Sequence, residues 1–240
     1  MNPQYQAKLD ACKLCFDLLD ADIYQLVSRY DGEYFPDSKI NKGELFRNIM
    51  INGSYTAAQE TYMESMCGGL TRFRDRRTGV EYATDLVIGW ISEDGLLDYF
   101  LNTGQTAVLS GDDRYREFLN PRKISTQADI ELRSATGKRK LEYMNDWTDT
   151  WKKWNHLDLR ENKYLKLVDE KAIFLGISPL SQEALVIDIG NEKTKTNWVR
   201  IDSHWPYGGK PAWQLKNPKA LMMPIDESFK KIVDILMLPG

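Results

Sequence analysis

The chain has 240 residues, 42% of them hydrophobic and 28% charged, with 16 Gly and 9 Pro. These proportions exclude a disordered or collagenous polymer and suit one main core with an appendage. The net charge of -3 argues against generic polyanion binding, yet the sum hides an asymmetry. Residues 1–113 carry a net -8, residues 114–171 a net +4 and residues 172–240 a net +1. No apolar run is long enough to span a bilayer, and the first residues alternate apolar with charged side chains, so neither a membrane segment nor a secretion leader is expected.

Taken in order, residues 5–30 read as a helix, because Leu9, Cys12, Phe16, Leu19, Ile23 and Leu26 recur at three- and four-residue steps before Tyr30-Asp31-Gly32. A second helical stretch runs from Asn41 to Cys67, split at Asn52-Gly53, with Ser54 or Thr56 as cap and Gly68-Gly69 as stop. Glu81–Ile91, rich in β-branched and aromatic residues, reads as a strand, and Ser92–Leu119 as a helical or irregular insertion. Gln127–Leu132 and Lys140–Met144 alternate or extend around the turn at Thr136-Gly137-Lys138, which predicts a hairpin. Residues 157–170 have helical spacing, Ala172–Ile177 and Ala184–Ile189 suit buried strands, and the tail from Asn191 reads as loop-rich, ending in a helix over 228–236. No internal repeat is visible.

The basic middle interleaves Arg114, Arg116, Arg122, Lys123, Lys138, Arg139, Lys140, Lys152 and Lys153 with Trp147, Trp151 and Trp154. Cations beside flat side chains suit nucleic-acid binding, so Lys138, Arg139, Lys152, Lys153 and Arg160 are expected to contact DNA. The competing reading is a solvated face above a Trp-filled core. Within the hairpin, Asp129 and Glu142 can lie side by side on neighbouring strands, the spacing a divalent cation needs from hard oxygen ligands. Glu131 follows on the face of Asp129, since side-chain direction repeats every two residues.

The helix-strand-hairpin-helix-strand order with Asp129 and Glu142 resembles the PD-(D/E)XK nuclease superfamily over about residues 54–190. The resemblance implies an α/β fold: a restriction-endonuclease-like core with a mixed central sheet flanked by helices, at 54–190. A helical N-terminal addition at 1–53 and a loop-rich C-terminal extension at 191–240 complete the chain. It implies a metal-dependent DNA endonuclease, restriction-type or from a phage or mobile element, using Mg2+ or Mn2+ held by Asp129 and Glu142. A Glu of the first core helix, Glu60 or Glu64, would assist.

The sequence departs from the superfamily pattern twice: Ala128 stands where many members have Pro, and Met144 where a lysine is expected two residues after Glu142. Some members carry that lysine on the following helix, where Lys163 shares a face with Arg160. Lys140, on the strand face of Glu142, is the alternative, and Lys152 a third. Asp146 or Asp149 would cap the next helix, or Asp146 would be a further ligand. Met144 also suits a non-catalytic relative that binds DNA or protein, and the acidic first half suits a viral interaction protein. The expected setting is the cytoplasm of a bacterium or phage-infected cell, compatible with a homodimer.

Other chemistries find little footing. Cys12, Cys15 and Cys67 are an odd set with no second Cys-x-x-Cys, which predicts reduced thiols rather than a zinc site. His156 and His204 are distant in sequence, and neither GxxxxGK[ST] nor GxGxxG occurs. The Trp205–Lys210 loop reads first as a turn, with substrate contact as the alternative.

Overall fold

The computed structural model describes residues 3–68, 77–118, 127–134, 137–189, 191 and 197–237. It divides into two compact units: residues 1–99 with 115–124, and residues 100–114 with 125–240. The boundary therefore falls inside a helix near residue 99, and the segment 54–99 lies with the N-terminal helices rather than with the sheet.

The first unit is helical. Helix α1 (Pro3–Leu19) buries Leu9, Cys12, Phe16 and Leu19, and ends where Asp20 takes a positive φ of 52°. The expected single helix over 5–30 is thus two, because Asp22 restarts the chain as the N-cap of α2 (Ile23–Ser28), its carboxylate accepting from the Tyr24 amide at 2.8 Å. Helix α3 (Lys42–Arg47) runs into a π turn at Asn48–Asn52, closed by Gly53 at φ 62°. Thr56 then starts α4 (Ala57–Cys67) with a capping box completed by Gln59.

Residues 81–91 are not a strand but lie within α5 (Gly79–Asn102). A helix packed on several sides shows a near-continuous apolar run, and such a run mimics a buried strand. Val80, Ala83, Val87, Ile88, Trp90 and Ile91 are all buried here. The deciding local signal is the reciprocal box in which Thr78 Oγ1 accepts from the Glu81 amide at 3.1 Å and Glu81 Oε2 from the Thr78 amide at 2.8 Å. Arg116, grouped by sequence with the nucleic-acid cations, is buried in this unit. Its guanidinium donates to Glu93 at 2.6 Å and Asp94 at 2.5 Å, so it is withdrawn from any solvent face.

The second unit is α/β. Its larger sheet is mixed, in the order β1-β2-β3-β5-β6-β9: β1 (Thr106–Leu109), β2 (Ile130–Ser134), β3 (Gly137–Asn145), β5 (Ile173–Ser178), β6 (Glu183–Asp188) and β9 (Met223–Pro224). The hairpin β2–β3 is antiparallel with Ile130 opposite Leu141 and Glu131 opposite Lys140. Strands β3 and β5 are parallel, Glu142 beside Phe174 and Met144 beside Gly176, so a crossover must join them. The first sheet strand is therefore Thr106–Leu109, inside the expected insertion.

That crossover holds α6 (Thr150–Trp154), β4 (His156–Arg160) and α7 (Glu161–Asp169). The expected helix over 157–170 splits because Leu157 and Leu159 point into the core while His156, Asp158 and Arg160 alternate with them, which is strand periodicity. The tail is not loop-rich either. Strands β7 (Trp198–His204) and β8 (Lys210–Lys216) form a hairpin, and β8 pairs with β4 to give a small antiparallel sheet in the order β4-β8-β7.

Two apolar layers sandwich the larger sheet. Leu157, Leu159, Tyr164, Leu167, Phe174, Leu185, Ile187, Trp198 and Leu215 form one cluster between it, α7 and the small sheet. Helix α8 (Ile225–Met237), longer than the expected 228–236, packs against β2, β3, β5 and β6 and buries Phe229, Ile232 and Leu236. Burying these nine large side chains between the elements, at about 1.5–3 kcal/mol each, makes the first layer a principal source of the attraction that holds α7 against the sheet.

Candidate active site

On the α7 side of the larger sheet, β5 and β6 are covered by the apolar cluster, whereas the hairpin β2–β3 carries charge: Glu131 lies opposite Lys140, and Lys138 and Glu142 share the Lys140 side of β3. Asp129 sits just before β2, one step beyond the Ile130–Leu141 pair, which places it alongside Glu142. Its Oδ2 accepts from the Tyr143 amide at 2.8 Å, so the carboxylate is held against β3. Its own carbonyl accepts from the Ser110 amide at 2.7 Å, tying this corner to the end of β1. Glu142 is 4% exposed.

Helix α7 supplies the third group. Tyr164 and Leu167 fix its buried side, leaving Lys163 in the first turn to reach the hairpin. The Lys163 ammonium lies 2.6 Å from Glu142 Oε2 and donates to the Gln127 carbonyl at 3.0 Å, two residues before Asp129. The structure therefore brings Asp129, Glu142 and Lys163 to one corner of the sheet. Met144, where the superfamily pattern has a lysine, leans on the apolar cluster beside Gly176, over which the Trp151 ring is packed.

The alternatives lie elsewhere. Lys140 is on the face of Glu142, but its ammonium pairs with Glu131 at 3.2 Å. Glu131 also receives Lys138 at 2.7 Å and Arg133 at 2.8 Å. Led by the Lys138 bond, these cations outweigh burial and hold its carboxyl down at about 2. Lys152 is paired with Glu183 at 2.5 Å. Asp146 serves as a local brace: Oδ2 accepts from the Trp151 amide at 2.7 Å and Oδ1 from Thr148 at 3.4 Å. Asp149 has a positive φ of 51° before α6 and makes no side-chain cap. Glu60 is exposed on α4, and Glu64 accepts from the Val80 amide at 3.2 Å, both in the first unit.

Among the described residues no group of three or more His, Cys, Asp and Glu is placed to hold a metal ion. Asp129, held to β3 by the Tyr143 amide, and Glu142, on β3, are a pair of hard oxygen donors. That fits magnesium, which commonly takes one or two carboxylates and completes its shell with water and substrate phosphate. Compared with known proteins, the sequence matches no family model and no curated protein.

The expected nucleic-acid cations do not share one strand face. Lys138 is exposed beside Glu131, whereas Arg139 points to the other side of β3, donating to Asp188 at 2.5 Å and the Lys171 carbonyl at 3.1 Å. Lys153 is exposed, and Arg160 is exposed with its guanidinium 5.4 Å from the Tyr207 ring centre. Arg122 and Lys123 lie outside the described residues.

Sequence reasoning missed a second cluster on the small sheet. Asp158 Oδ2 lies 3.0 Å from His204 Nε2 and 3.2 Å from His156 Nδ1, and its Oδ1 accepts from Gln214 at 2.8 Å. The only local signal is that His156 and Asp158 are two apart on a strand. His204 joins them through the β4-β8-β7 pairing, which no local pattern announces.

Proposed function

We propose that the protein is a metal-dependent DNA endonuclease, hydrolysing phosphodiester bonds with Asp129, Glu142 and Lys163. The observation that carries this reading is the convergence of the Lys163 ammonium on Glu142 beside Asp129. The order within the second unit supports it: β1, the hairpin β2–β3, α7 and the parallel strand β5 resemble the strand-hairpin-helix-strand part of a restriction-endonuclease-like core, with α6 and β4 inserted before α7. Asp129 and Glu142 would hold Mg2+ or Mn2+, which supplies a Lewis acid and lowers the pKa of a bound water.

The protein's own contribution is placement and charge. The Tyr143 amide fixes the Asp129 carboxylate, and the parallel pairing with β5 fixes Glu142. Lys163 would orient the attacking water and stabilise the negative charge that develops on the phosphoryl oxygens, an effect strengthened by its partial burial. Lys153 and Arg160 are exposed cations available to phosphates.

A second reading, a non-catalytic relative that binds DNA or protein, draws on Met144 in place of the motif lysine. Incubating the chain with supercoiled plasmid in magnesium or manganese separates the two. Cleavage that Asp129→Ala and Glu142→Ala both abolish supports the endonuclease; undiminished cleavage by both variants removes this site from consideration. DNA binding without cleavage in either metal favours the second reading.

A further inference from the structure

The turn between β7 and β8 presents an indole to solvent from a fixed backbone. Trp205 is 86% exposed, an unusual position for so large an apolar surface. It is not on a loose loop. Trp205–Tyr207 form one tight turn with Pro206 inside, closed by Gly208 and Gly209 at φ 77° and 75°, whose amides donate to Trp205 and His204 carbonyls at 2.9 Å. Tyr207 pins the turn down: its hydroxyl donates to the Asp158 carbonyl at 2.9 Å, and its ring lies 4.7 Å from that of His204. The Asp158–His204–Gln214 cluster, in which His204 and Gln214 are buried, is thus the footing of the turn.

A second indole borders the same cluster. Trp154, 59% exposed, has its ring 6.0 Å from His156, on the opposite side of Asp158 from His204 in the chain of contacts. Arg160 and Lys216 are exposed on the face of the small sheet that carries Asp158, and Lys210 is exposed after the turn, whereas Arg200, opposite Trp213, lies on the other face. Arg200 is engaged by Glu161 and Asp202. Flat exposed rings beside exposed cations match a chain of phosphates bearing accessible base faces, and the backbone of the turn is already ordered before binding.

The chain links this surface to the candidate active site. Arg160, whose guanidinium sits over Tyr207, is followed three residues later by Lys163, so their Cα atoms are within about 11 Å of each other.

We infer that Trp205, with Trp154, is a nucleobase-stacking platform, and that the nucleic acid engaged there is single-stranded. In a duplex the base faces are stacked on each other and closed to an indole. This inference rests on the endonuclease reading for the role of the strand, but not for its binding.

The test is fluorescence anisotropy with a labelled thymidine oligomer and a labelled duplex of equal length, in chelator so that cutting cannot occur. The full chain, Trp205→Ala, Trp205→Phe and Trp154→Ala are compared, each checked for an unchanged melting temperature. Trp205→Ala should weaken the single strand about tenfold with Phe recovering most of it, and leave duplex affinity unchanged. Trp154→Ala should show a smaller loss of the same kind.

Equal single-strand affinity in wild type and Trp205→Ala overturns the platform, as does an equal loss on duplex. A dimer in size-exclusion chromatography that Trp205→Ala dissociates also overturns it, by assigning the ring to self-association. Parallel digests in magnesium keep the two ideas separable: stacking without cleavage sinks only the endonuclease, and cleavage with no effect of Trp205→Ala sinks only the platform.

Discussion

Lys163 and Glu142, one on a helix and the other on a sheet strand, meet at 2.6 Å with the carboxylate almost wholly buried. Removing the ammonium should do two separable things. Turnover by Lys163→Met should fall by orders of magnitude with DNA affinity nearly kept, since the charge acts chiefly in the transition state. Stability should also fall by roughly 3 kcal/mol, because Glu142 is left buried without this partner. Lys163→Met/Glu142→Gln should regain part of that stability but no activity, so comparing melts with single-turnover rates separates structure from chemistry. If Lys140→Met is the inactive variant and Lys163→Met is not, the role belongs to the strand lysine.

Arg116 belongs to the fold of the first unit. It bridges Glu93 and Asp94, and Asp94 also accepts from the Tyr30 hydroxyl at 2.6 Å. Arg116→Met strands two carboxylates and should cost about 3–5 kcal/mol in urea unfolding. Neutralising the acids as well, in Arg116→Met/Glu93→Gln/Asp94→Asn, should return much of it. A single substitution with no measurable cost would mean that water reaches the cluster.

Glu131 sets a pH window. Lys138, then Arg133 and Lys140, hold its carboxyl down at about 2, against an ordinary value of 4.5. A depressed folded value means that the ion pairs stabilise fully above 4.5 and lose their contribution as pH falls towards 2. The contribution is on the order of 1 kcal/mol, because Lys138 and Arg133 are more than half exposed and water screens them. Glu131→Gln should lower the melting temperature at pH 7 and flatten its fall below pH 4.5. Parallel wild-type and variant curves over that range would place the acid sensitivity elsewhere.

The hairpin carrying Asp129 and Glu142 could be read from sequence because its information is local: alternation, a turn glycine and a return strand all lie between residues 127 and 144. Helix α5 could not be told from a strand by its apolar run, and only the Thr78/Glu81 box, at the edge of the apolar stretch, carried the distinction. Strands β7 and β8 look like loop because Trp205-Pro206-Tyr207-Gly208-Gly209 and Pro211 punctuate them. Their strand character comes from pairing with each other and with β4, a distant segment. The same non-local pairing assembles Asp158 with His204. Lys163 was legible as a helix cation, but its distance to Glu142 depends on how the parallel crossover seats α7 over the sheet.

Burial and pairing divide the basic residues by what they can offer to phosphates. Arg139 is committed to Asp188 and to the Lys171 carbonyl, and Lys152 to Glu183. Lys153 and Arg160 are exposed and have no carboxylate ion pair among the described residues. A cation already neutralised by a carboxylate displaces few counterions when DNA arrives, whereas an open one contributes nearly a full charge. In a plot of the logarithm of affinity against the logarithm of salt, Lys153→Gln and Arg160→Gln should each flatten the slope by about one unit. Arg139→Gln and Lys152→Gln should leave the slope almost unchanged and lower the melting temperature instead. Titrating one labelled oligomer at several salt concentrations decides between them. Equal flattening by all four substitutions would mean that the ion pairs open on binding, and no flattening by any would place the DNA contact away from α6 and β4.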